Sequence, residues 1–249
     1  MHDYNHELSP ETGLLVKEAA LAAMGAWVAA IANNIKNPVA GIGAAVEILS
    51  RDIERAARVP GTNLHGSQET ISRIKTRLAM MDEYVTELVD FAKPPQVRPQ
   101  EVQLARIVNI VRDTIASYGF DPAIIEESLQ PDCQVVKADS GRLSLILKSL
   151  VMNGIEAVGS GKTVRIRIAA ERQTVGDTQG VLLSVEDNGP GFFEKIVTHI
   201  FDPFFSTKEA STGLGLTLVK KYVDAHGGTI MISSSRLLRG AKIELFFPD

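Results

Sequence analysis

Two glycine-bearing turns, Asp187-Asn188-Gly189-Pro190-Gly191 and Gly213-Leu214-Gly215-Leu216, bracket a loop that carries Phe204, Phe205 and Lys208. No other feature constrains the chain as much. The first turn follows an apolar, strand-like run, Val181 to Val185. The second opens directly into the helical spacing of Leu216, Val219, Tyr222 and Val223. Glycine lets a backbone approach a flat ligand or take φ > 0 without a Cβ clash. A buried Asp187 can accept a hydrogen bond from an exocyclic amine. Amides at a helix start, aided by the helix dipole, make a phosphate site, and Lys208 is a mobile point charge suited to a terminal phosphate.

The order of these parts, with the helix-like stretch Asp139 to Val158 before them, resembles the ATP-binding domain of two-component histidine kinases. That domain is one of the Bergerat-fold ATPases, which include gyrase and mismatch-repair proteins. The resemblance covers Asp139–Val158 and Val185 to the end. A lone Gly-x-Gly is an ordinary tight turn, whereas four motifs in family order and spacing are not. The resemblance implies that Asp187 meets adenine while Gly189 and Gly191 let the backbone close over it. It implies that Phe204 and Phe205 pack the root of a lid, that Lys208 reaches the terminal phosphates, and that Gly213 and Gly215 offer amides to them. Asn153, in LKSLVMNGIEAV, matches the family's magnesium-binding asparagine, whose amide oxygen suits a hard cation. ATP and magnesium are thus the implied cofactors. One turn earlier, where hydrolytic relatives carry a Glu base, stands Ser149, so fast ATP hydrolysis is not expected.

Upstream, the pattern changes. Ser9-Pro10-Glu11 is a helix start, with an N-cap, Pro at the first helical position and an acid in the first turn. Residues 1–9 read as a frayed tail. Leu14, Leu21, Val28, Ile35, Ile42 and Leu49 then recur every seven residues. Met24 and Ile31, later Val46 and Ile53, fill a second seam position. Val59-Pro60-Gly61 should end this helix. A second heptad seam, Ile71, Ile74, Leu78, Met81, Val85 and Leu88, runs through a helix expected over about Ser67 to Lys93. Such seams signal helices packed as in a coiled coil. A hairpin with one apolar stripe is best covered by a second copy, giving a dimeric four-helix bundle.

Pro94-Pro95 and Pro99 end the hairpin and mark a stiff linker. The expected organisation is therefore a helical dimerisation hairpin over 10–96 and an α/β sandwich ATP-binding domain over 97–249. In the latter, helices are expected near Leu104–Ser117, Ser140–Val158 and Leu214–His226. Strands are expected near Thr163–Ala170, Val181–Val185, Thr229–Ser234 and Lys242–Phe247, with Glu171–Gly180 as a polar connection. His226-Gly227-Gly228 reads as a helix C-cap. A net charge of −4 with no basic block argues against nucleic acid. The single Cys133 fits a reducing cytosol, and no apolar run reaches the length of a membrane span.

The informative departure is in the first helix. Family members carry a phosphoacceptor His, an acid, two residues and Asn-Pro; here stands Asn33-Asn34-Ile35-Lys36-Asn37-Pro38. Two residues before the seam position Ile35, position 33 lies on the outer side, where an acceptor must be. Amide resonance leaves Asn33 no nitrogen lone pair to attack phosphorus, and Asn34 cannot take a proton as a Glu would. One reading is a protein that binds ATP without phosphorylating itself, a natural pseudokinase or an acceptor variant of an active kinase. A second is a phosphatase for a phosphorylated response regulator, with Asn37 orienting water. A dimeric scaffold follows if ATP does not bind. In each, the expected partner besides a second copy is a response regulator receiver domain.

Overall fold

The computed structural model describes residues 35, 39–56, 58, 65–159, 161–192, 197–207 and 211–249. The tail, the helix start at Ser9-Pro10, the seam residues Leu14 to Ile31, Asn33, Asn34, Asn37, Val59-Pro60-Gly61 and Lys208 lie outside them. Met1–Pro94 and Pro95–Asp249 separate into two compact units.

In the first unit, residues 39–56 are helical (α1) and a second helix, α2, covers His65–Ala92. Lys75 of α2 reaches back to α1, its Nζ 2.7 Å from Glu47 Oε2 and 3.3 Å from Ser50 Oγ. The two heptad seams divide unequally. Val39 and Val46 of α1 and Ile71 and Val85 of α2 are buried. Ile42 and Leu49, expected in the seam, are 51% and 55% exposed, and Ile74 and Met81 are exposed as well. Two helices can bury only the residues between them, so among the described residues Ile42, Leu49, Ile74 and Met81 stay open within this chain.

The second unit is a mixed α/β domain. Strand β1 (Gln100–Gln103) pairs antiparallel with β3 (Val135–Ala138) in a small sheet. The main sheet has the order β2-β4-β5-β7-β6, formed by β2 (Ile125–Leu129), β4 (Ile166–Val175), β5 (Thr178–Asp187), β6 (Thr229–Ser234) and β7 (Ala241–Pro248). Among the described strands of this sheet, β2–β4 is parallel and the other neighbours are antiparallel. Helices α3 (Leu104–Ser117), α4 (Ser140–Val158) and α5 (Gly215–Ala225) pack with α4 in the middle, against β4 and β5. Helix α4 buries Leu143, Ile146, Leu147, Leu150, Val151, Gly154, Ile155 and Val158, the three-and-four spacing of one apolar face. The core beneath it includes Ile166, Ile168, Leu183 and Leu245.

Three strands were not legible. β1, β2 and β3 are short; QEVQ and IEESL bury little of their length and VVKA alternates over only four residues, so no sustained period-2 apolar signal marks them. The Glu171–Gly180 stretch, expected as a polar connection, is instead mostly strand. β4 and β5 stay paired to Val175↔Thr178, leaving only Gly176, at φ 59°, and Asp177 as the turn. Both strands are polar there, while the tight turn holds their register.

Asp139 fixes the start of α4. Its Oδ1 accepts from Arg142 N–H at 3.0 Å and its Oδ2 from Arg98 N–H at 3.0 Å, binding the Pro-rich segment to the cap. Its own N–H donates to His226 Nε2 at 2.9 Å, while His226 Nδ1 lies 2.6 Å from Tyr222 O. Nδ1 must therefore carry the proton and donate. Burial pushes the Asp139 carboxyl up, but the N–H groups of Arg142, Arg98 and Gly141 outweigh it and hold the group below its ordinary 3.8. A carboxyl depressed in the fold stabilises above its unfolded value and loses that contribution as pH falls through the folded value. Asp139→Ala is thus expected to cost about 1 kcal/mol at neutral pH. In chemical denaturation the gap from the parent should close as pH drops below 3.8.

Candidate nucleotide site

Alternation along β5 turns Val181, Leu183, Val185 and Asp187 to one side, facing the helices. Asp187, at the strand's end, is buried. Its Oδ1 accepts two backbone N–H groups, from Gly189 at 2.8 Å and from Ala241 at 3.1 Å. Across from it, Gly154 lets α4 come down onto the strand. A Cβ on Gly154 would lie 2.7 Å from Ile166 Cδ1 and 3.1 Å from Asp187 Cβ. Asn188 ties this turn to the chain entering β4, its Oδ1 accepting from Arg165 N–H and its Nδ2 donating to Thr163 O, both at 2.8 Å.

Between α4 and the end of the sheet is a cavity of about 570 Å³, lined by Leu150, Asn153, Asp187, Gly191, Ile200 and Ile243, among others. Its size is that of a small-molecule site, and a mostly apolar wall with one fixed carboxylate suits a flat ring bearing a donor. A smaller cavity of about 100 Å³ shares Asn153, Ile200 and Thr207 with it and adds Phe205, Gly213 and Gly215. The second cavity lies at the start of α5. There Leu214 is the N-cap residue and no side chain caps the helix. The first-turn N–H groups, which have no intrahelical acceptor, make that end suited to an anion. Ser149 abuts it, since a Cβ on Gly215 would lie 2.8 Å from Ser149 Oγ.

Of the residues singled out in the sequence, the fold thus gathers Asn153, Asp187, Gly191, Gly213 and Gly215 around two adjoining cavities, with Gly189 holding the Asp187 carboxylate. Asn153 lines both cavities, and a carboxamide oxygen is a ligand type that a hard cation could take. Phe205 lines the smaller cavity, whereas Phe204 is 58% exposed. Phe204 stands at φ 65°, a costly conformation for a bulky residue. Gly213 approaches that backbone so closely that a Cβ would lie 2.5 Å from Phe204 C.

Gly154, Gly240 and Ala241 were not singled out from the sequence. Gly240 sits against Asp187, where a Cβ would overlap the Asp187 carbonyl oxygen and Oδ1. The available signal was a glycine directly before the last apolar strand.

Comparison with known proteins agrees with this arrangement. Residues 138–249 match the family described as histidine kinase-, DNA gyrase B-, and HSP90-like ATPase. The chain is 30% identical over 229 residues to the sensory histidine kinase/phosphatase NtrB of Rhodobacter capsulatus, covering 89% of this chain and 61% of that protein. Across the first curated relatives, the chain spans between 33% and 61% of their length. Among solved structures, the catalytic domain of histidine kinase ThkA is 30% identical with a TM-score of 0.51, covering 61% of this chain and 97% of that one. Full-length ShkA in complex with AMPPNP shares the fold, at 20% identity and a TM-score of 0.60, over 90% of this chain and 46% of that one.

Proposed function

This chain is histidine kinase-like, its residues 138–249 forming a domain of the histidine kinase-, gyrase B- and HSP90-like ATPases, and from that premise we propose that it binds ATP with magnesium in a two-component signalling system. The observation that carries the reading is the pair of adjoining cavities, one walled by the pinned Asp187 carboxylate and one at the uncapped start of α5. Asp187 would accept from the adenine amine, and the α5 amides would face the phosphates. Asn153 would supply an oxygen to the magnesium ion, whose part is to neutralise phosphate charge. Lys208 would approach the terminal phosphate. Ser149 offers no general base for water, which favours a nucleotide held for transfer over one rapidly hydrolysed.

Nucleotide binding is tested by thermal unfolding with and without ATP and magnesium. At a hundredfold excess over the dissociation constant, ligand should stabilise the protein by about 2.7 kcal/mol. Asp187→Asn replaces one acceptor with a donor and should abolish that shift. A parent protein whose melting is indifferent to nucleotide would leave only the scaffold reading.

The hairpin would join a second copy. Ile42 with Leu49, and Ile74 with Met81, are each seven residues apart and exposed, which supports a stripe covered in a four-helix bundle. Ile42→Asp or Leu78→Asp would bury an unpaired charge in such an interface, at a cost of several kcal/mol. Light scattering should show the parent as a dimer and the variants as monomers; a monomeric parent at micromolar concentration would refute the bundle. The dimer would serve a response regulator receiver domain. With Asn33 in the acceptor position, phosphorylation of this chain by its own ATP site is not expected.

A further inference from the structure

The loop between β6 and β7 closes on itself around Ser235. Ser235 is buried, its N–H donates to Gly240 O at 2.8 Å, its carbonyl accepts from Arg239 N–H at 3.0 Å, and its Oγ accepts from Leu238 N–H at 2.9 Å. Its hydroxyl also donates to Glu186 Oε2 at 2.5 Å. Glu186 is in turn held by Arg167 at 3.0 Å, and Arg167 by Ser128 Oγ at 2.9 Å. Arg239 is kept at φ 66° inside this ring, a left-handed conformation that persists only when its surroundings impose it.

The two ends of the loop grip β5 from opposite sides. Glu186 and Asp187 are neighbours, so strand alternation sends their side chains to opposite faces of the sheet. Ser235 holds the first. The residues at the loop's other end hold the second, through Ala241 N–H on Asp187 Oδ1 and through Gly240, which lies against the Asp187 backbone and carboxylate. The carboxylate that faces the cavity is thus oriented partly by a loop far away in sequence.

We infer that the Ser235–Gly240 loop is a positioning element for base recognition, in which Ser235 and Gly240 set the Asp187 carboxylate to accept from the 6-amino group of a purine. This rests on the ATP reading and refines it: neither residue touches the nucleotide, yet both decide how well adenine is told from a purine lacking that amine. A site whose acceptor is fixed discriminates by the hydrogen bond it loses, and a bond to a charged group is a strong one. An acceptor free to turn discriminates less.

The test is calorimetric titration of the full chain with ATP and with purine riboside triphosphate, which lacks the 6-amino group, alongside melting curves without nucleotide. The parent should prefer ATP by roughly tenfold or more. Ser235→Ala and Gly240→Ala should each weaken ATP by about tenfold while leaving the analogue within about twofold, so that the preference collapses; Ser235→Thr, which keeps the hydroxyl, should retain it. If Gly240→Ala does not fold, Ser235→Ala decides alone. Folded variants that lose both nucleotides in parallel, or keep the parent's preference, overturn the inference. A parent that binds neither nucleotide overturns the ATP reading itself, which is a separate result.

Discussion

Asn33→His combined with Asn34→Glu is expected to convert a protein that takes no label from γ-labelled ATP into one that labels itself. Transfer to phosphorus needs an unshared electron pair on the attacking atom, and an amide nitrogen has given its pair to the carbonyl. An imidazole at position 33 supplies the pair, the bond from the γ-phosphorus to the β,γ-bridging oxygen breaks as ADP leaves, and a carboxylate at position 34 takes the proton that the ring gives up. Asn33→His alone should label slowly, because general base assistance is worth about a hundredfold or more. The product should be acid-labile and base-stable, as a phosphoramidate is. The parent, given the same ATP, should carry no such phosphate. Labelling of the parent on His65 or any other histidine would overturn the pseudokinase reading. A double variant that binds ATP and stays unlabelled would move the defect from the nucleophile to its presentation.

Gly213→Ala should damage the nucleotide domain through both its backbone conformation and its packing. Gly213 stands at φ 67°, and an added Cβ would lie 2.5 Å from Phe204 C and 2.8 Å from both Phe204 Cα and Phe205 N. Every one of these is a backbone atom, so no side chain can swing away. The left-handed conformation costs alanine about 1–2 kcal/mol, and overpacking typically adds about 1–3 kcal/mol. The strain falls where α5 begins and where the smaller cavity is shaped. ATP affinity should drop about a hundredfold, measured by calorimetry with melting curves as the check on folding. Gly66, near the start of α2, is the control: a Cβ there meets nothing within 4 Å, so Gly66→Ala should leave affinity unchanged. Unaltered ATP binding in Gly213→Ala would mean that the phosphates do not lie at this turn.

What could be read from the sequence follows from how each element announces itself. Helix α4 covers Ser140–Val158 and strand β6 Thr229–Ser234, the bounds expected from spacing and caps. The two glycine turns pointed to the candidate site because glycine marks backbone geometry that other residues resist. β1, β2 and the outer half of the β4–β5 hairpin stayed hidden, since their pairing is written in backbone hydrogen bonds and not in apolar alternation. The same holds at the site. Asp187 was visible as a side chain, but the Ala241 N–H that orients it belongs to the main chain, which every residue type possesses. The left-handed backbone of Phe204, at φ 65°, stayed hidden because residue type does not announce it in a non-glycine residue.

The imidazole of His226 has a chemical consequence. Its Nδ1 carries the proton given to Tyr222 O, so its one in-plane lone pair resides on Nε2, and that pair is engaged by Asp139 N–H. A histidine in this state has nothing left with which to attack an electrophile. It can lie in the same domain as an ATP site and remain chemically silent, so that any phosphohistidine formed on this protein must come from a ring whose nitrogen is exposed to the reagent.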